Sequence, residues 1–152
     1  MDGWILKINN DYKQKKLTKP VIVSLTSWPK RIGNVVPVCL TMLNQTIVPI
    51  IELTLSQEEF SDITDLPVEL QNLINKKLII LNWAKNNTKA FKKLIPVISK
   101  YYNKDGYFLT IDDDLLYDKN YIKEMINCLK DNDSYCPHSG FVIGNAMIYY
   151  AK

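Results

Sequence analysis

Three consecutive aspartates, Asp112, Asp113 and Asp114, close the apolar run Tyr107-Phe108-Leu109-Thr110-Ile111. A five-residue β-prone run reads as a buried strand, and its end is a costly place for carboxylates. Adjacent negative charges repel and favour protonation of at least one of them unless a cation neutralises the group. Residues two apart on a strand share a side, with Cα atoms roughly 6.6 Å apart. If the backbone bends at the strand end, Asp112 and Asp114 can share one hard divalent ion. Mg²⁺ or Mn²⁺ suits such oxygen ligands, and sites of this kind leave coordination positions for substrate phosphates. The competing reading is a solvated acidic turn in which one aspartate caps the following helix. Asp118, ahead of Lys119-Asn120-Tyr121, is the better N-cap, so the three upstream acids have no capping duty. The pattern suggests a metal–diphosphate site.

The elements that must position these acids can be read from the hydrophobic pattern. Pro20 opens a β-branched strand, Val21 to Thr26. The loop Ser27-Trp28-Pro29-Lys30-Arg31-Ile32-Gly33 follows, and Asn34 can cap a helix running to about Gln45, with Pro37 in its first turn. Further strands are expected over Ile50–Ser56 and Leu78–Trp83, with a helix over Pro67–Asn75 between them. A helix from Lys89 to about Tyr101, bent at Pro96, precedes the strand that carries the aspartates. A last helix is expected over Lys119–Lys130, and a strand-like tail over Phe141–Tyr150. Alternating strands and helices specify an α/β fold, a mostly parallel sheet flanked by helices. Ligands in such sheets sit beyond the carboxyl ends of the strands, near the switch point. The aspartates and the Thr26–Arg31 loop both follow strand ends, so they share one sheet edge.

The bulk numbers bound the rest. At 152 residues, a single domain can bury roughly 70% of its unfolded surface. A net charge of +3 permits an anionic substrate or membrane surface without pointing to nucleic acid, which is not an expected partner. No apolar stretch is long enough to span a bilayer, and the N-terminus lacks a signal-peptide pattern. Cys39, Cys128 and Cys136 form no close metal-type pair and read as reduced thiols, so a cytoplasmic location is expected.

Several segments resemble, in order, a group of bacterial glycosyltransferases of the GT-A fold. They are Val23-Ser24-Leu25-Thr26-Ser27-Trp28-Pro29-Lys30-Arg31-Ile32, Leu43-Asn44-Gln45-Thr46 with Pro49, and Ser56-Gln57-Glu58-Glu59-Phe60 with Leu66-Pro67. Phe91-Lys92-Lys93-Leu94-Ile95-Pro96 and Ile111-Asp112-Asp113-Asp114-Leu115-Leu116-Tyr117 complete the series. Ordered matches across roughly residues 20–130 are far more specific than an isolated aspartate pair. The chain departs from the family in three ways. Phe91 stands where the family commonly has Tyr, no acidic residue lies near Asn86-Asn87, and family domains run further past the metal motif.

The resemblance implies a GT-A (Rossmann-like) nucleotide-sugar-binding domain over 20–152, shortened at its C-terminus, behind a polar lead-in over 1–19. It implies transfer of a sugar from a nucleotide-diphosphate sugar to an acceptor hydroxyl on a glycan or lipid-linked molecule. The setting would be bacterial lipopolysaccharide or capsule synthesis, with possible peripheral association at the inner face of the membrane. Mn²⁺ or Mg²⁺ would be held by Asp114 first and by Asp112 directly or through water. Asp113, pointing the other way, would meet ribose or sugar hydroxyls. Thr26 and Ser27 would bond the nucleotide, Arg31 or Lys30 the diphosphate, and Lys93 (or its neighbour Lys92) the donor. The catalytic base is expected outside this chain. Trp28 could stack on the base but reads first as an aromatic covering the core, Trp83 reads as core, and His138, which could ligate the metal or act as a base, reads first as a surface histidine. The other enzyme readings, a haloacid-dehalogenase-type phosphatase and a nucleotidyltransferase, lack their Thr or Val after the aspartates and their glycine-rich loop, respectively. A nucleotide-binding remnant without turnover is the non-enzyme reading.

Overall fold

In the computed structural model of the protein, residues 19–101, 104 and 106–132 are described. The N-terminal lead-in over 1–18, His138 and the tail strand expected over 141–150 lie outside them. The elements run β1 (Val21–Thr26), α1 (Val35–Leu43), β2 (Ile50–Ser56), α2 (Val68–Asn75), β3 (Ile80–Ala84), α3 (Ile95–Tyr101), β4 (Tyr107–Thr110) and α4 (Tyr121–Asn132), with short 3-10 turns between some of them. All four strands are parallel, in the order β3-β2-β1-β4. This is the α/β parallel-sheet architecture that the alternation of elements predicted, of the Rossmann-like kind that the resemblance implied. The chain lays β1, β2 and β3 outward in one direction, then returns β4 to the other side of β1. The order therefore reverses between β1 and β4, and the crevice beyond their carboxyl ends is the switch point of the sheet.

Strand register gives the sheet two unlike faces. On one side lie Val23 and Leu25 of β1, Ile51, Leu53 and Leu55 of β2, and Leu109 of β4. They join one buried cluster with Val38, Cys39 and Met42 of α1, Leu70 and Leu73 of α2, and Ile122, Met125 and Ile126 of α4. Each such side chain contributes about 1.5–3 kcal/mol on burial. Side chains alternate along a strand, so the opposite side collects Ser24, Thr26, Glu52, Thr54, Ser56 and Asn82. The 3-10 turn Lys89–Lys93 lies against β1 and β2. Glu52 is fully buried there and accepts from Asn82 Nδ2 (2.9 Å), Lys100 Nζ (2.7 Å) and the Tyr101 hydroxyl. A buried carboxylate needs such partners to remain charged. Burial, with the adjacent Glu52 charge adding, pushes the Tyr101 phenol above its ordinary value.

The differences from the sequence pattern have local causes. The helix expected over Lys89–Tyr101 forms in two pieces, the 3-10 turn and α3. Pro96 cannot donate to the carbonyl four residues back, and its ring crowds that carbonyl, so the helix breaks where a bend was expected. Asn34 makes no side-chain cap; a 3-10 turn over Ile32–Asn34 feeds directly into α1, with Val35 N–H bonded to Ile32 O. β3 begins two residues later than expected because α2 ends in a reciprocal cap. Leu78 N–H bonds Leu73 O (3.0 Å), Lys77 N–H bonds Ile74 O (2.9 Å), and Lys77 adopts the left-handed φ of 57° usually given to glycine. Cys39 is a buried free thiol, whereas Cys128 is disulfide-bonded, a departure from the expectation of three reduced thiols. Among the described residues no helix is long and apolar enough to cross a membrane.

Candidate functional site

β1 and β4 bring the Ser27 loop and the aspartates to one edge. Ile111 N–H still bonds Ser24 O (3.0 Å), so the sheet ladder continues one residue past β4 before the chain turns. Asp113 then turns inward and is 2% exposed, while the Asp112 and Asp114 side chains stand 56% and 46% exposed. The Ser27 hydroxyl donates to Asp113 Oδ2 at 2.6 Å. Arg31 forks across two acids, with Nη2 at 2.7 Å from Asp113 Oδ1 and Nη1 at 2.7 Å from Asp114 Oδ2. Lys93 Nζ lies 2.5 Å from Asp112 Oδ1 and 3.5 Å from Ile111 O. Charge-assisted contacts of this kind are among the stronger hydrogen bonds available to a protein.

These groups line a cleft of about 300 Å³, together with Thr26, Trp28, Glu59, Asn87, Lys89 and Lys92. All six residues expected to bind the donor, Thr26, Ser27, Arg31, Lys93, Asp112 and Asp113, are on its wall. Asp114 is not among the lining residues, and its carboxylate faces Arg31. The acids expected to pair, Asp112 and Asp114, are thus held by different cations. Asp113 and Asp114, expected to point apart, share one guanidinium. The Thr26 hydroxyl donates to Thr54 O at 2.7 Å, across to β2. Trp28, expected first to cover the core, is 40% exposed with Lys30 Nζ 5.5 Å from its ring centroid. Trp83 does pack against the core. Among the described residues, no group of three or more His, Cys, Asp or Glu side chains could hold a metal ion.

A second set of bonds fixes the loop that carries the acids. Asp112 N–H donates to the Tyr117 hydroxyl at 2.9 Å, and the Tyr117 and Tyr121 rings pack 4.7 Å apart. Burial pushes the Tyr117 phenol upward, with the Asp112 and Asp114 charges adding to the shift, and Tyr121 is pushed up to about 12 for the same first reason. Both phenols stay protonated through the neutral range. α4 begins at Tyr121, two residues later than expected, so Asp118, expected as its N-cap, instead accepts from Asn120 N–H (2.8 Å) in the turn that precedes the helix. The buried Gln45, just past α1, then clamps the far end of the loop. Its amide nitrogen donates to Asp118 O (2.6 Å) and Thr41 O (3.1 Å), and its oxygen accepts from Ile122 N–H (3.0 Å).

Sequence reading missed Gln45 as a positioning group, and Glu59, Asn87 and Lys89 as cleft residues. The Lys92–Glu59 ion pair, with Lys92 buried, closes one wall. Its signal was present in the two quoted segments Gln57-Glu58-Glu59 and Lys92-Lys93, but their pairing depends on how β2 and the turn before α3 meet.

No family model and no curated protein matches this chain. Among solved structures it is similar to one titled for S. aureus TarS 1–349, with a TM-score of 0.49 and 15% identity, covering 76% of this chain and 33% of that one. The chain therefore spans about a third of that structure's length.

Proposed function

We propose that the cleft beyond β1 and β4 binds the diphosphate of a nucleotide-sugar donor, and that the chain serves metal-dependent glycosyl transfer to an acceptor hydroxyl. The observation that carries this reading is the constellation itself. Two cleft-lining carboxylates, Asp112 and Asp113, and the cations Arg31 and Lys93 converge at the switch point of a parallel sheet, the place where such sheets bind nucleotides.

Glycosyl transfer requires the negative charge that builds on the departing diphosphate to be stabilised. Arg31 and Lys93 supply positive charge at the cleft wall. Asp113 is preorganised, with one oxygen held by Ser27 and the other by Arg31. A carboxylate has about four lone-pair sites, so it retains acceptor capacity for a ribose or sugar hydroxyl. The oxygen donors suit Mg²⁺ or Mn²⁺ of the kind that takes one or two carboxylates and completes its shell with water and phosphate oxygens. Asp112, exposed on the cleft wall, is the donor best situated for such an ion, with Asp114 as the second. When bound, the ion would act as a Lewis acid on the diphosphate. The acceptor, glycan or lipid-linked, and a role in bacterial surface-glycan synthesis at the membrane's inner face are proposed on the sequence resemblance.

The test is calorimetric titration of UDP and GDP, with and without Mn²⁺, into the wild type and Asp112→Ala. Mn²⁺-dependent binding that weakens at least about tenfold in the variant, the scale of one lost charge-assisted contact, supports the reading. A folded wild type that binds neither nucleotide refutes it.

A further inference from the structure

The cleft wall carries four cations, Arg31, Lys89, Lys92 and Lys93, and three of them already have anionic partners. Arg31 spans Asp113 and Asp114, Lys93 meets Asp112, and the buried Lys92 meets Glu59. With no metal ion on Asp112 or Asp114, a phosphate entering the cleft can use any of these cations only by drawing it from a carboxylate that would then lose its counter-charge. For Lys92 and for Arg31 beside the buried Asp113, that exchange strands a desolvated charge.

Lys89 is different. Its ammonium makes no ion pair or hydrogen bond to any described residue. Its backbone is also set in an unusual way. Lys89 has a φ of 55°, the left-handed region that long L side chains rarely adopt. That conformation is held by its N–H bond to Asn87 Oδ1 (3.1 Å) and by Phe91 N–H on Thr88 O (3.1 Å). Glycine or asparagine would fit this backbone with less strain, and neither would bring a charge. The sequence holds a lysine there, on the wall of the cleft.

We infer that Lys89 is the phosphate-recognising cation of this cleft, contacting the diphosphate of the ligand directly while Arg31 and Lys92 remain committed to the protein's own acids. The inference rests on the donor-site reading above and adds to it a residue outside the segments of sequence resemblance. It also reassigns Arg31. Its guanidinium serves as a positioning group that locks Asp113 and Asp114 to the Ser27 loop.

Inorganic pyrophosphate, then GDP and UDP, titrated calorimetrically into wild type, Lys89→Gly and Lys89→Arg, tests this, with thermal denaturation run on each protein. Lys89→Gly removes the charge and relieves the left-handed strain together, so it is expected to melt no lower than wild type while losing roughly tenfold to a hundredfold in affinity, the scale of a hydrogen bond to a charged group. Lys89→Arg is expected to stay within about threefold, because the charge is kept. Lys77→Gly, which relieves the same strain away from the cleft, should melt higher and bind unchanged. Wild-type binding with Lys89→Gly equal to it within about twofold overturns the role of Lys89 and leaves the donor site standing. A folded wild type that binds none of the three ligands overturns the donor site and this inference with it.

Discussion

Replacing Gln45 with leucine removes a polar clamp while nearly conserving volume, and its cost can be worked from the bonds it breaks. The side chain is buried, and its three hydrogen bonds join the end of α1 to the start of α4. In Gln45→Leu, Ile122 N–H loses its side-chain partner in a buried setting, while Thr41 O and Asp118 O, the latter still bonded by Tyr121 N–H, lose a donor where water has partial access. Stranded buried groups cost about 1–3 kcal/mol each, with carbonyls at the lower end. The added apolar contact of leucine offsets part of this, leaving a loss of about 3 kcal/mol. Against a total stability of about 5–15 kcal/mol, that lowers the melting temperature by about 10 °C for a domain of this size. Thermal and urea denaturation followed by circular dichroism measure it. Gln45→Glu separates shape from bonding. It keeps the acceptor for Ile122 N–H but turns a carboxylate oxygen toward the carbonyls of Asp118 and Thr41. The introduced carboxyl therefore has a folded-state pKa raised above its unfolded value of about 4.3. Its protonated form can donate, so stability is retained below that value and lost as pH rises through the folded pKa. A Gln45→Leu protein within about 1 kcal/mol of wild type would refute the clamp.

Two further predictions bear on the core and the site. Burial pushes the Cys39 thiol up to about 12 from an ordinary value of 9.0, so a thiol reagent at mildly alkaline pH should leave it unmodified until the protein unfolds. Because the folded value is the higher one, the contribution of Cys39 to stability is intact below pH 9 and declines as pH rises from there toward 12; rapid labelling of the native state would refute this burial. Tyr117→Phe deletes the acceptor for Asp112 N–H and should cost about 1 kcal/mol and weaken Mn²⁺-dependent nucleotide binding, since the Asp112 backbone is no longer fixed. Calorimetry showing unchanged binding would mean that Tyr117 does not set the position of that acid.

The parts of this molecule visible in the sequence are those set by local pattern. β1 and β2 fall on the bounds that β-branched runs predicted, and the alternation of elements implied a parallel sheet with Asp112 and Ser27 at one edge. The partnerships at that edge were not visible. Arg31 meets Asp114 across 83 positions, and Gln45 meets Ile122 across 77. Such pairs follow from strand register and helix placement, which no window of neighbouring residues encodes. The grouping of the acids was hidden for a related reason: alternation along an extended strand puts Asp112 and Asp114 on one side, but the chain has left the ladder by then, and Arg31 bridges Asp113 and Asp114. Pro96 announced a disturbance of its helix. It did not say whether the helix would bend or break there.

That sheet has consequences for how the protein responds to its surroundings. Lifting α1, α2 or α4 from their side would wet hydrocarbon, and apolar exposure raises heat capacity. On the other side, the contacts of Glu52 with Asn82, Lys100 and Tyr101 are polar, and polar exposure lowers heat capacity. The two layers therefore contribute to the heat capacity in different proportions, while salt acts on the ion pairs, which lie on the second side and at the strand ends. The cleft opens along the second, so the ionic composition of the solution can tune the wall that meets the ligand while the oily layer behind it holds the strands in register.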